Sequence, residues 1–318
     1  MPFGILAAVF ATLAWSLNFV VPFVIGRYTI FDLALLRFAV SALIGGFMLA
    51  GRAAALRRLS MRDWLTTSFL AFLGYVGYFL AVTAAALWAG PVIAPAFLGL
   101  VPIVVALAGN YRQSSLPWPR LAIPLAVILL GLLLVNRALI RPGQEADGQI
   151  LLLGIPCAIL AVLSWTWFAL LNQRALAQRP TMDSVAWTSM MLISGGVQMG
   201  LFLPVGIHAG LFGLASLGAG WAEARSVYLW GTILAVASSV IGVWAWTVAS
   251  RRLPVALAAK LVVLETVFGV VFGAAVRDQW PGPAETIGMI LLVIGVVIAI
   301  RVFYVRSDRH EAISAIDV

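Results

Sequence analysis

Charge and polar chemistry are what this sequence has least of. Only 10% of its 318 residues are Asp, Glu, Lys or Arg, with two histidines, His208 and His310, and one cysteine, Cys157. A lone cysteine excludes an intrachain disulfide and any cysteine-rich metal site. No H-E-x-x-H, G-x-S-x-G or glycine-rich phosphate loop occurs, so an integral-membrane enzyme has no familiar catalytic motif to rest on. The net charge of +8 is spread so that no run of charges exceeds two. That pattern offers nucleic acid no basic patch. Lysine is almost absent as well, since nineteen of the twenty basic residues are arginine, a skew that reads as genome composition.

What is present is apolar: 63% of the residues are hydrophobic. So few charges cannot cover the exterior of a soluble fold of this size. The apolar residues also come in blocks of about 20, the length that crosses a roughly 30 Å hydrocarbon core. The pattern predicts an all-α integral membrane protein with ten transmembrane helices, near residues 3–25, 32–50, 65–87, 90–109, 121–136, 150–171, 185–206, 228–249, 254–275 and 284–303. Helices are expected because lipid offers a bare backbone no hydrogen-bond partner, and the alternation of a membrane barrel is missing. Met1-Pro2-Phe3-Gly4 carries no basic region ahead of its long apolar stretch, so that stretch reads as a retained first helix. The loops are too short for a second folded domain, so an ATPase engine is not expected within the chain.

Arginines set the orientation. With the N-terminus inside, the cytoplasmic side holds Arg52, Arg57, Arg58, Arg62, Arg112, Arg120, Arg174, Arg179, Arg251, Arg252, Arg301, Arg306 and Arg309, thirteen in all. The outer side holds Arg27, Arg137, Arg141, Arg225 and Arg277, which is five. Positive residues favour the cytoplasmic side, so both termini are expected there.

The sequence also repeats itself. Trp15 matches Trp165 and Gly45-Gly46 match Gly195-Gly196, both at an offset of 150. Pro91 matches Pro254 at 163, and Leu130-Gly131 to Arg137 matches Ile294-Gly295 to Arg301 at 164. Colinear matches of this kind predict two five-helix repeats, residues 1–143 and 144–305, followed by a short cytoplasmic tail, 306–318. Five is odd, so the second repeat must enter the membrane from the opposite side. Such inverted repeats are typical of transporters that alternate access around a midplane site.

Trp15-Ser16-Leu17-Asn18-Phe19, Arg37 early in the second span and Leu264-Glu265 in the ninth resemble the EamA-type branch of the drug/metabolite transporter superfamily. The resemblance runs over the whole chain through its five-plus-five plan. Two positions depart from the family pattern: the proline usual before the second span is replaced around Phe31-Asp32, and the one usual after the ninth-span glutamate is Thr266. The second departure leaves open whether the ninth helix is kinked. The resemblance implies an exporter of small metabolites in the bacterial inner membrane, without cofactor or metal, and with a monomer favoured. Relatives carry amino acids, aromatic ones included, other metabolites, sugar nucleotides or drugs.

Several residues are candidates for contact with substrate or coupling ion. Glu265 is the only acidic residue expected deep in a span, about 16 Å beyond Pro254 at 1.5 Å per residue. A carboxylate there must face protein or a wet cavity. It can carry a proton, recognise a substrate amine, or tie down a neighbouring helix. Lys260 lies roughly 140° around the helix from it and can snorkel to the interface, pair structurally, or meet a substrate carboxylate. Arg37 sits about 7 Å inside the outer boundary, where it can bind an anionic substrate group, latch a gate, or pair with Glu265. Asp32, at the edge of the same span, reads as solvated.

Asn18 and Gln198 can hydrogen-bond across helices or touch a ligand. Seven tryptophans, Trp187 among them, lie near span ends, as interfacial belts require. Trp15, Trp165, Trp167, Trp244 and Trp246 lie near span centres, and Tyr75 and Tyr78 share a face of the third span. A cavity lined by such rings, with Trp15, Trp165 and Trp244 as leading candidates, suits flat apolar or cationic compounds. In each closely spaced tryptophan pair, one member is expected to be plain packing. Pro95 and Pro102 can kink the fourth span as a gating element.

Together these features predict a secondary transporter that exports small amphipathic metabolites by alternating access, with a proton through Glu265 as the candidate coupling ion. A carrier of lipid-linked or other large amphiphiles is the alternative within the transporter class. It would require a lateral opening between helices.

Overall fold

The computed structural model describes residues 1–20, 24–52, 57–85, 100–113, 117–136, 153–278 and 280–314. Among these the regular structure is helical, with no strand. The principal helices are α1 (Pro2–Ser16), α2 (Ile30–Ala50), α3 (Met61–Ala85), α4 (Val101–Gln113), α5 (Trp118–Asn136), α6 (Ile155–Ala177), α7 (Ser184–His208), α8 (Trp221–Arg252), α9 (Val255–Val276) and α10 (Pro283–Ser314). Eight of them, α2, α3 and α5 to α10, are long and apolar enough to cross a membrane. The molecule is a multi-pass membrane protein.

Polar caps fix where several helices begin. Thr29 and Asp32 form a reciprocal capping box at the start of α2, Ser60 and Asp63 form another at the start of α3, and the Asp183 carboxylate accepts from the N–H groups of Val185 and Ala186 at the start of α7. Each arrangement satisfies backbone donors that a helix N-terminus leaves open. The α3 cap starts that helix four residues before the predicted span. At the other extreme, α1 stops well short of residue 25. The Asn18 side-chain amide donates to the Trp15 carbonyl at 2.7 Å, and the chain tightens into a 3-10 turn over Leu17–Phe19, a local competition that ends α-helix. α10 runs on through Ser314, so much of the predicted tail is helical.

The packing is reciprocal. α2 lies on α7, α5 on α10 and α4 on the first half of α9. α1 packs on α8 and α9, while α6 packs on α3 and α4; likewise α2 touches α8, and α7 touches α3. Glycines permit the closest approaches. A Cβ on Gly131 would lie 2.9 Å from the Gly288 carbonyl, and one on Gly288 would lie 2.8 Å from the Gly131 carbonyl. Gly45 similarly admits Leu192 to 3.0 Å of its Cβ position, and Gly196 faces Ala42. Of the two matched glycine pairs, Gly45 and Gly196 are therefore the close contacts, whereas Gly46 has open space beside it.

Three helices are irregular. α3 widens into a π turn over Phe72–Val76 and α8 into one over Ala235–Ile241, segments whose starts are 163 residues apart. α9 is broken at Val263: Val263 N–H donates to Lys260 and Thr266 N–H to Val263, three residues back instead of four. The interruption occurs without a proline at position 266.

Two expectations are corrected here. Asp32 is fully buried, because its carboxylate accepts from the backbone N–H groups of Thr29 (2.8 Å), Gly213 (3.0 Å) and Leu214 (2.9 Å). It ties the start of α2 to the segment between α7 and α8. Trp187 is also fully buried, not part of a belt; its indole donates to Asn172 at 3.0 Å, and the Arg179 guanidinium lies over its ring.

Candidate functional site

Three indoles from three helices meet in the interior. Trp15 of α1 lies 6.2 Å from Trp165 of α6, edge to face, and 5.5 Å from Trp246 of α8; Trp165 and Trp246 are 5.4 Å apart. Residues two apart on a helix point about 200° apart, so each closely spaced pair can contribute only one ring. Trp165 and Trp246 are buried, whereas Trp167 is 54% and Trp244 37% exposed. Trp165 takes its expected place. Trp244 keeps partial exposure and joins no ring contact among the described residues, and Trp246 supplies the third ring instead. The π turn just before these residues shifts the register of the helix face, which a regular helical count misses.

The Trp15 indole N–H donates to the Ser238 carbonyl at 3.1 Å. Gly242 leaves room for this ring, since a Cβ there would lie 2.8 Å from Trp15 Nε1. Ser238 and Ser239 also receive Arg37 of α2. Its Nε donates to Ser239 Oγ (2.8 Å), one Nη to Ser238 Oγ (3.1 Å) and the other to Asn18 Oδ1 (2.9 Å). Asn18 is held in turn by Trp15 and Ser238 through its amide nitrogen. Sequence reasoning brought Trp15, Asn18 and Arg37 forward but missed the two serines that join them. Small hydroxyls within an apolar run give little signal until a π turn is known to gather them.

Glu265 stands just after the break in α9. Glu265 and Arg37 are each half-buried. They lie within electrostatic range of one another, and Tyr75 shares that range with Arg37 and Tyr78 with Glu265. Neither charge belongs to an ion pair among the described residues, so the Arg37–Glu265 pair, one of the alternatives for Arg37, is not formed. The structure thus brings together Trp15, Asn18, Arg37, Tyr75, Tyr78, Trp165 and Glu265.

Other candidates lie elsewhere. Lys260 is fully buried, as is every residue of Val255–Val262. This first half of α9 is packed by α1, α4, α6 and α8, so the lysine is enclosed among helices. Gln198 of α7 donates to the Ser68 carbonyl (2.8 Å) and hydroxyl (3.1 Å) of α3, bonding helix to helix. Pro95 lies outside the described residues. Pro102 falls in the first turn of α4 as described, where a proline is tolerated without breaking the helix.

The two ends of the bundle differ. At the arginine-rich end, Arg179 just beyond α6 pairs with Asp63 of α3 at 2.6 Å, and Arg52 beyond α2 pairs with Asp183 before α7 at 2.7 Å. Both pairs join the first half of the chain to the second. Arg251 adds a bond to the Met182 carbonyl at 2.6 Å. At the opposite end an open pocket of about 460 Å³ is lined by Ile25, Tyr28, Phe31, Thr83, Gly210 and Leu211, among others.

Comparison with known proteins agrees with this architecture. The model of the EamA-like transporter family matches residues 152–301. Inner membrane protein YtfF of Escherichia coli (strain K12) is 31% identical over 313 residues, covering 94% of this chain and 95% of the relative. A solved crystal structure superimposes with a TM-score of 0.75 over 93% of this chain and 96% of its own, at 18% identity, a likeness of fold. On the strength of the family match and of a relative aligned along nearly the whole chain, this membrane protein belongs to the EamA-like transporter family.

Proposed function

We infer that the protein is a secondary transporter of the bacterial inner membrane. It exports small amphipathic metabolites, amino acids and aromatic ones among them, by alternating access. The observation that carries this reading is the central wall: Arg37 and Glu265, opposite charges left apart, beside a ring of three tryptophans drawn from both halves of the chain. A transporter needs such a site enclosed between two elements that can move against each other.

The reading includes ten spans in two inverted repeats, 1–143 and 144–305, with both termini cytoplasmic. Its support is the reciprocal packing, in which exchanging α1 with α6, α2 with α7 and α3 with α8 preserves the contacts. The two π turns, 163 residues apart, add to it. In this orientation the ion-paired, arginine-rich end faces the cytoplasm, and the open pocket faces outward. Glu265 is the coupling carboxylate, exchanging a proton as the cavity changes sides.

The test is counterflow of labelled phenylalanine into proteoliposomes at several pH values, comparing wild type with Glu265→Gln. Saturable, pH-dependent counterflow in wild type and pH-independent counterflow in the variant are expected. Unchanged pH dependence in Glu265→Gln removes the proton role. Failure of a broad metabolite panel to move at all removes the transporter reading.

A further inference from the structure

We propose that Ser238 and Ser239, on the widened turn of α8, hold the Arg37 guanidinium as the binding group for a carboxylate on the transported compound. This deepens the transporter reading above and rests on it.

A guanidinium enclosed in a protein normally meets a carboxylate, because removing its charge from water is costly without an anion. Arg37 instead meets three neutral oxygens, Asn18 Oδ1, Ser238 Oγ and Ser239 Oγ. These fix the plane of the group without neutralising it. Of its five N–H donors, the two not used in these bonds have no acceptor among the described residues. A second donor of the same kind lies one ring away: the Trp246 indole N–H is buried and has no acceptor among the described residues. The Arg37 side of this wall therefore offers positive charge and donors that no described residue accepts, with Glu265 standing near but unbonded to it. A carboxylate supplies an acceptor, and its two oxygens match the planar fork of a guanidinium.

The π turn accounts for the pair of serines. Adjacent residues of an α-helix diverge by about 100°, which spreads their side chains over different neighbours. Within the i→i+5 turn of Ala235–Ile241 both hydroxyls reach one guanidinium. Ser238 is also bonded through its carbonyl to Trp15 and through its hydroxyl to Asn18, so the orientation of Arg37 is set jointly by α1 and α8. An acid in place of either serine would quench the charge; alanine would let it swing.

The experiment uses the purified full-length protein. Thermal stabilisation in detergent and competition in proteoliposome counterflow are measured with phenylalanine, leucine and 3-phenylpropionate, and with phenylalaninamide, leucinamide and phenethylamine. In wild type, the carboxylates are expected to half-saturate at concentrations at least about tenfold below their carboxyl-free counterparts, an effect of order one charge-assisted bidentate bond. The double variant Ser238→Ala/Ser239→Ala is expected to bring that ratio below about threefold, chiefly by raising the half-saturation of the carboxylates. Arg37→Lys, which keeps the charge and loses the fork, serves with Ser239→Ala should the double variant fail to fold, and each is expected to reduce the ratio. Equal binding of amides and acids by wild type overturns the proposal. So does an undiminished ratio in the serine variants, or a panel in which no carboxylate binds. Transport that ignores the carboxylate leaves the transporter reading standing and removes only this assignment.

Discussion

The indole N–H of Trp15 donates to the backbone carbonyl of Ser238 across 3.1 Å, joining α1 to the π turn of α8. A π turn displaces carbonyls from the regular ladder, and in a bilayer a displaced carbonyl needs another donor. The other half of the chain meets the same need: the Ser164 hydroxyl of α6 donates to the Leu73 carbonyl, within the π turn of α3, at 2.8 Å. Each widened turn is thus satisfied by a helix from the opposite half.

Gly242→Ala tests the first of these joints. The new Cβ would lie 2.8 Å from Trp15 Nε1 and 3.0 Å from its Cδ1, closer than either ring or backbone tolerates, so the indole must leave Ser238. Overpacking of this kind costs about 1–3 kcal/mol. The variant is expected to melt several degrees lower in detergent and to show altered tryptophan fluorescence. Gly46→Ala, where nothing lies within 4 Å, is expected to match wild type in both measurements.

Much of this arrangement was legible in the sequence, and the remainder fails for identifiable reasons. Arg37 and Glu265 stood out because ionisable groups are rare and costly at their depth, and the structure leaves both half-buried and outside any ion pair among the described residues. Trp15 and Trp165 could be paired from their common offset. Trp244 was preferred to Trp246 because a regular helical count cannot anticipate a π turn, which has no compositional signature comparable to proline. Asp32 read as solvated because its partners, the N–H groups of Gly213 and Leu214, lie about 180 residues away and belong to backbone, which leaves no trace in side-chain pattern. Snorkelling stayed open for Lys260, beside structural pairing and substrate contact, because depth along a helix is visible in sequence, whereas the ring of helices around α9 is not.

Asp32→Ala is expected to be among the most damaging single changes outside the central wall. It removes a fully buried acceptor from three backbone N–H groups at once. Hydrogen bonds to a charged group are each worth about 1.5–3 kcal/mol, and an abandoned buried donor costs more than a bond never made. A loss of about 3 kcal/mol or more is expected, seen as reduced yield of folded protein and a lower melting temperature. Asp32→Asn, which keeps one acceptor oxygen, is expected to fall between alanine and wild type. Equal stability of all three would show that the carboxylate does not anchor α2.

The two ion pairs that join the halves at the arginine-rich end should differ in strength. Arg179 and Asp63 are 16% and 12% exposed, with Ser60 donating to the same carboxylate; Arg52 and Asp183 are 50% and 30% exposed. Solvent screens the second pair far more than the first. Double-mutant cycles to alanine are expected to give a coupling of about 1–3 kcal/mol for Arg179–Asp63 and about 0–1 kcal/mol for Arg52–Asp183. Equal couplings would mean that burial does not set the strength of this end of the bundle.

The choice between Trp244 and Trp246 can be decided by substitution. Trp246 is 3% exposed and touches both Trp15 and Trp165, while Trp244 is 37% exposed and touches neither. Removing a buried indole leaves a cavity that its neighbours fill only in part, at a cost of about 3–5 kcal/mol. Removing a partly exposed one gives up fewer packing contacts and leaves no enclosed cavity, so it costs less. Trp246→Ala is therefore expected to lower the melting temperature strongly and to reduce the blue-shifted part of the tryptophan emission, to which Trp165 and Trp187 still contribute. Trp244→Ala is expected to leave both nearly unchanged. Because Trp246→Ala also opens the ring beside Arg37, bulky aromatic compounds should gain relative to small ones in counterflow competition, a change in selectivity that destabilisation alone does not produce.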